Sequence, residues 1–235
     1  MISTIFKRLN IPRWYLIVLL MLFSTGCQFR RGHIPKERND RLKIEKMVVV
    51  GFQSAMSQWD APDVIRSPIS GAVFMAEPVS PYVVNKMTAS LFDRILKKNY
   101  ELVSPAQARG VYLNLVATDL MMEETEILQK VCETFSADAV LVGYIYRWRE
   151  REGTDFAVNR PASTAFELYL LQPYDSAILW KGRFDKTQKP LSENIFDMGT
   201  FFKGRGRWMT VESLAEFGLE EMLSKLSKAE RIEEN

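Results

Sequence analysis

Residues Ala139–Ile145, Ala-Val-Leu-Val-Gly-Tyr-Ile, constrain the fold of this chain more than any other segment. The early part of this run is apolar at successive positions, so a strand built from it is apolar on both faces. A strand of that kind is stable only at the centre of a sheet with helices on either side. Its continuation, Tyr146-Arg147-Trp148-Arg149, alternates and extends the predicted strand over 139–149. Strict alternation places Arg147, Arg149 and Arg151 on one face and Tyr146 and Trp148 on the other, on a strand end that outruns the core.

The surrounding pattern supplies the other layers. Met47-Val48-Val49-Val50-Gly51-Phe52 reads as a buried first strand. Residues 53–81 form a long irregular stretch broken by Pro62, Pro68, Gly71, Pro78 and Pro81. Loops of that length inside a compact domain are unusual, which marks it as a candidate contact surface. Val84, Met87, Leu91 and Ile95 recur at helical spacing and predict a helix over 82–98. A short strand follows at 100–103. Ser104, Pro105 and Gln107 then carry an N-cap, a first-turn proline and a capping-box glutamine for a helix over 105–117. Ile127, Leu128, Val131, Cys132 and Phe135 share a face of a helix over 123–136. Residues 165–171 and 177–184 flank the turn-forming Gln-Pro-Tyr-Asp-Ser and predict a β-hairpin. A short helix over 192–202 and a final helix over 211–227 complete the order, the latter with Thr210 as N-cap. Helices between strands in the first half suggest crossovers, and the hairpin adds antiparallel strands. The fold class is therefore α/β (α+β), a single domain with a mixed β-sheet, a C-terminal β-hairpin edge and helices packed on it.

The N-terminal region gives an address. Lys7, Arg8 and Arg13 precede the apolar run Trp14–Phe23, and Ser24-Thr25-Gly26 closes it with small residues. That order is how a secretory signal is built, and the run is too short to span a bilayer. Cys27 directly after the small residues resembles the acceptor of bacterial lipoprotein processing, with Ser24 where that pattern usually holds Leu. The resemblance implies a diacylglycerol and an N-acyl chain on Cys27, which is the one lipidation site and the only prosthetic chemistry expected. More than one acyl chain makes attachment effectively permanent. Gln28, where an aspartate would favour inner-membrane retention, implies the outer membrane. The expected organisation is a signal peptide over 1–26, the lipidated cysteine and a charged tether over 27–46, a globular domain over 47–228 and a frayed tail over 229–235.

Charge and cysteine usage narrow the chemistry. Removal of Lys7, Arg8 and Arg13 takes the formal charge from +2 to −1, which argues against a nucleic-acid partner. Cys132 is the one cysteine left beside Cys27, so no internal disulfide is expected, and its place on an apolar helix face makes it core. With His33 as the only histidine, neither a structural zinc site nor a histidine triad has material, so no metal is expected. Nothing pairs a nucleophile with a base at a recognisable spacing, so no catalytic residue is assigned.

Ala137-Asp138-Ala139-Val140-Leu141-Val142-Gly143-Tyr144-Ile145 and Ile178-Leu179-Trp180-Lys181-Gly182-Arg183-Phe184 resemble strands of known envelope proteins. The group is the lipoproteins and periplasmic domains of the curli-secretion, penicillin-binding-protein-activator and TolB-N-terminal-like type. The resemblance covers residues 47–188 in order of elements. It implies action by binding a partner or assembling rings, and carries over no catalytic residues. The expected activity is that of a non-enzymatic, periplasm-facing lipoprotein that binds an envelope-protein partner or cell-wall or polysaccharide machinery. A homo-oligomeric export ring of the outer membrane is the first alternative and a periplasmic hydrolase the second. The candidate partner-binding residues are Arg147, Trp148, Arg149 and Arg151, with Lys203, Arg205 and Arg207 of the basic glycine loop. Arginine and aromatic side chains dominate binding hot spots. Against this stand ion pairs of the strand arginines with Glu150, Glu152 or Asp155, and a solvated turn for the glycine loop.

Overall fold

The computed structural model describes residues 44–154, 157–174, 177–188 and 208–233. Five strands make the main sheet in the order β4-β1-β5-β8-β9: β4 (Glu101–Val103), β1 (Lys46–Ser54), β5 (Ala139–Arg149), β8 (Ser163–Leu171) and β9 (Ile178–Thr187). The first three run parallel, and β8 and β9 are antiparallel. This is a mixed α/β sheet with β5, the twice-apolar strand, at its centre. Its early residues, Ala139 to Ile145, are all buried.

Each face of the sheet has its own core. On the first, Met47, Val49, Leu141, Phe166 and Phe184 meet α1 (Pro81–Ile95) and α4 (Val211–Glu233). On the second, Val48, Val50, Val142, Tyr144 and Tyr169 meet α2 (Pro105–Thr118) and α3 (Glu124–Thr134). The helices form for local reasons as well. Ser80 caps α1 ahead of Pro81. Ser104 and Gln107 close a full capping box on α2, so Val111–Val116 is helix despite its strand-like composition. α4 runs to Glu233, six residues past its expected end.

A bulge in β1 sets the packing of α1. The register with β5 shifts between Val49 and Gly51, and Gly51 sits at φ 84°. Thr88 Oγ1 then accepts a 2.9 Å hydrogen bond from the Phe52 amide. A Cβ on residue 51 would lie 2.3 Å from Thr88 Cγ2, so both the conformation and the close approach demand glycine.

The stretch 53–81 contains an antiparallel hairpin, β2 (Asp63–Arg66) and β3 (Val73–Ala76), laid on the second face beside α2 and α3. Phe74, Ala76, Ile69 and Met56 are its buried contacts. A smaller pair, β6 (Glu152–Gly153) and β7 (Val158–Arg160), follows β5. Among the described residues no helix is long and apolar enough to cross a membrane.

Candidate partner interface

The end of β5 departs from strict alternation. Its register with β8 skips Tyr146 between Ile145 and Arg147, a β-bulge that places two successive side chains on one side. Tyr146 and Arg147 both meet the β2–β3 hairpin, and Trp148 packs on the opposite face against the α1–α4 core. The expected division, arginines on one face and Tyr146 with Trp148 on the other, is therefore corrected. The strand does not outrun the core either, because the hairpin covers it.

Arg147 is 9% exposed and its guanidinium is occupied within the fold. Nε donates to Ser163 Oγ at 2.7 Å, Nη1 to the Met75 carbonyl at 3.3 Å and Nη2 to Asp185 Oδ1 at 2.6 Å. The expectation that Arg147 faces a partner is thus overturned, since a buried guanidinium with three acceptors is a fastening. Arg149 pairs with Glu77, and Arg151 donates to the Trp208 carbonyl. Cys27, Lys203, Arg205, Arg207 and the 192–202 helix lie outside the described residues.

A second arginine completes the clamp. The guanidinium carbon of Arg183, on β9, stands 4.1 Å from the Phe74 ring centroid, and its Nη2 donates to the Val73 carbonyl at 3.5 Å. Tyr146 stacks on the other side of Phe74, 3.8 Å between centroids and 6° from parallel. Phe74 is therefore a plug held between a phenol ring and a cation, each contact adding to its burial. Arg147 and Arg183 together cap the carbonyls on the β3 edge of the hairpin, at Met75 and Val73.

Beneath the hairpin lies a buried polar layer. Glu167 accepts from Tyr146 Oη at 2.9 Å and from Ser70 Oγ at 3.3 Å, and Ser67 Oγ meets Tyr169 Oη at 3.1 Å. Burial, and secondarily the Glu167 charge, pushes the Tyr146 and Tyr169 hydroxyls well above the usual phenol range, so both stay protonated. A second such group joins α2, α3 and β5. Glu124, the first residue of α3, accepts from Tyr112 Oη at 2.9 Å and from Tyr144 Oη at 2.5 Å. Burial raises its carboxyl above the ordinary carboxylate range, and the two phenol hydrogen bonds only partly oppose this. Burial also pushes the Cys132 thiol up to about 12, and its Sγ donates to the Ala137 carbonyl at 3.2 Å. A thiol so placed is inert. Among the described residues no three His, Cys, Asp or Glu side chains stand together to hold a metal ion.

What the clamp leaves outward is apolar. Val64 lies directly across the hairpin from Met75, and Arg66 from Val73. These four share the face turned away from the sheet, with Val64, Val73 and Met75 53%, 46% and 60% exposed. Trp59, 86% exposed, stands just before β2 on a turn fixed by a 2.9 Å bond from the Ser57 amide to Asp60 Oδ2. The hairpin is thus fastened on one side and carries three exposed apolar positions on the other, a geometry suited to docking. None of these residues stood out from composition. The sequence signal is limited to two short apolar-containing runs, 63–66 and 73–76, on either side of Ser67-Pro68-Ile69-Ser70-Gly71, a turn-forming centre.

No family model and no curated protein matches the chain. Solved structures do resemble it. The LpoB C-terminal domain from Salmonella enterica is 13% identical at a TM-score of 0.36, over 63% of this chain and 87% of that one. Lipoprotein GNA1162 from Neisseria meningitidis is 14% identical at 0.36, over 68% and 96%. The PelC dodecamer from Paraburkholderia phytofirmans is 11% identical at 0.41, over 80% and 91%. At these scores none of the likenesses bears on function, which follows instead from the residues of this chain.

Proposed function

We propose that the protein is a lipid-anchored, non-enzymatic module of the bacterial envelope that binds a partner protein through the outward face of the β2–β3 hairpin. The observation that carries this reading is the contrast between the two sides of the hairpin. One is locked by Phe74, Arg147 and Arg183, while the other exposes Val64, Val73 and Met75. Fixing a strand pair by so many contacts costs conformational entropy that an idle loop would not need to lose.

On this reading Cys27 bears the diacylglycerol and N-acyl chain, no other cofactor is used, and Gln28 favours the outer membrane. The chain enters the domain at β1, whose first residues pair with the start of β5, whereas the hairpin packs on Tyr146 near the other end of that strand. The docking face is therefore displaced from the chain entry by about 23 Å along β5, at about 3.3 Å per residue, and points to a partner that stands off the membrane surface.

The test is a photo-crosslinking amino acid at Met75 in living cells, with exposed Lys97 as control position. A discrete adduct at Met75 and none at Lys97 is expected. No adduct at Met75, or the same adducts at both, would sink the proposal.

A further inference from the structure

The hairpin has two edges, and they are not equivalent. Ser67 donates to the Ala72 carbonyl at 2.8 Å, which makes that pair a hydrogen-bonded one. Alternation then makes Ile65 with Phe74 and Asp63 with Ala76 hydrogen-bonded pairs, and turns the backbone groups of Val64, Arg66, Val73 and Met75 away from the hairpin. On the β3 side those carbonyls are taken by Arg183 and Arg147. On the β2 side the Val64 amide donates to Asp63 Oδ1 at 2.6 Å. Among the described residues no hydrogen bond reaches the Val64 carbonyl, the Arg66 amide or the Arg66 carbonyl. The carbonyls of one edge are taken by arginines that lie along it, and the other presents acceptor, donor and acceptor in a row beside an apolar face.

We infer that β2 is a strand-addition site, at which an extended segment of the partner protein pairs antiparallel to Asp63–Arg66 and carries an acidic residue opposite Arg66 and an apolar residue two places later opposite Val64. This deepens the docking face proposed above and rests on it. The register follows from the free groups. The residue opposite Arg66 exchanges both of its backbone hydrogen bonds with Arg66, and the residue two further on donates to the Val64 carbonyl. Both side chains fall on the outward face, because directly opposed residues share a face. There the first meets the Arg66 guanidinium and the second extends the Val64–Met75 apolar pair. Strand addition draws affinity from main-chain bonds and specificity from alternate side chains.

Charge and register favour a foreign segment over the stretch that precedes β1 and over a second copy of β2. The stretch 28–43 carries Arg30, Arg31, Lys36, Arg38, Arg41 and Lys43 against Glu37 and Asp40. It is the wrong sign for a strand edge marked by Arg66. In a two-fold pairing of β2 with a second copy, matching the pleat with the free groups bonded puts Arg66 opposite either Val64 or another Arg66. Neither supplies a carboxylate.

The experiment uses the full chain in cells with the crosslinking amino acid at Met75, in four backgrounds: otherwise unchanged, Arg66→Ala, Arg66→Pro and Arg66→Glu. Proline removes the outward amide and leaves the hydrogen-bonded pairs of the hairpin intact. The Arg66→Pro adduct is expected to fall about two- to ten-fold below that of Arg66→Ala, the effect of one lost edge bond. Arg66→Glu is also expected to fall below Arg66→Ala, through repulsion of the partner's carboxylate. Hydrogen exchange at the Phe74 amide checks that the hairpin stays docked, and where proline opens it, Arg66→Glu alone decides. Equal adducts in the three variants overturn strand addition but leave the docking face standing. An adduct of twice this chain's mass overturns the foreign segment. Absence of any adduct in the unchanged background removes the docking face and the strand addition together.

Discussion

Phe74→Ala isolates what holds the hairpin in place. Phe74 is 2% exposed, stacked on Tyr146 at 3.8 Å and covered by Arg183. Truncating a buried phenylalanine costs about 3–5 kcal/mol, of which aromatic stacking supplies roughly 0.5–1.5. Arg183 is flexible and half-exposed, so it can settle into part of the space left, which places the expected loss near the lower limit, about 3 kcal/mol. Val73, its neighbour on the same strand, is 46% exposed, and Val73→Ala should cost no more than about 0.5 kcal/mol. Urea unfolding of the two variants measures the contrast. Exchange of the Ile65 and Phe74 amides, which pair across the hairpin, reports where the loss falls. Protection there should drop by about two orders of magnitude in Phe74→Ala, and crosslinking from Met75 should drop with it. If the two variants lose similar stability, or if Phe74→Ala leaves those amides protected, Phe74 is not the plug and the hairpin is held by its polar contacts instead.

Three further outcomes are expected. Burial holds the Glu124 carboxyl above its ordinary range, so between the unfolded and folded pKa values the native state binds more protons, and Glu124's contribution to stability falls as pH rises through that window. Glu124→Gln, which keeps an acceptor for Tyr112 and Tyr144, should therefore be more favourable relative to the parent at about pH 7.5 than at about pH 5 in paired urea melts; an equal difference at both would refute a raised carboxyl. Gly51→Ala forces a left-handed backbone and a clash with Thr88, and should cost about 2–4 kcal/mol; a thermal melt shifted by less than about 2 °C would show that α1 yields easily. Cys27→Ser should leave the far-ultraviolet spectrum unchanged while moving the protein from the membrane to the soluble fraction of lysed cells, and retention in the membrane would end the anchor proposal.

The sheet was legible because its signals are redundant. Ala139–Ile145 is apolar on both faces, Ser104–Gln107 spells a capping box, and the turn-formers of 172–176 separate two apolar-rich flanks, so local preference and burial agree at each. The interface was not, and the reason is specific. Strict alternation after Ile145 predicts that Tyr146 and Arg147 point apart, but one extra residue in the ladder to β8 puts them on the same side. Bulges have no fixed sequence mark, and this one converts an apparently exposed arginine into a buried staple. The hairpin was hidden for a different cause. Four-residue strands bounded by prolines fall below the length at which periodicity stands out, and their pairing depends on contacts with β5 and β9 that lie far away in sequence.

Arg147 and Arg183 thus act one step behind the outward face of the hairpin. Had Arg147 and Arg183 faced solvent, the carbonyls of Val73 and Met75 would offer a second free edge, and the hairpin could add strands on either side. A site open at both edges is a template for uncontrolled pairing. Capping the carbonyls of one edge with guanidinium groups, which donate but cannot accept, removes the acceptors that an added strand would need there and fixes which way the apolar face is turned. The asymmetry predicts a graded response to loss of the clamp. Replacing Arg183 with Met keeps the cover over Phe74 but frees the Val73 carbonyl, so it should leave binding at Met75 largely in place while raising self-association on a sizing column. If the Arg183→Met protein remains as monodisperse as its parent, the guanidinium serves Phe74 alone, and the capped Val73 carbonyl is a by-product of that stacking.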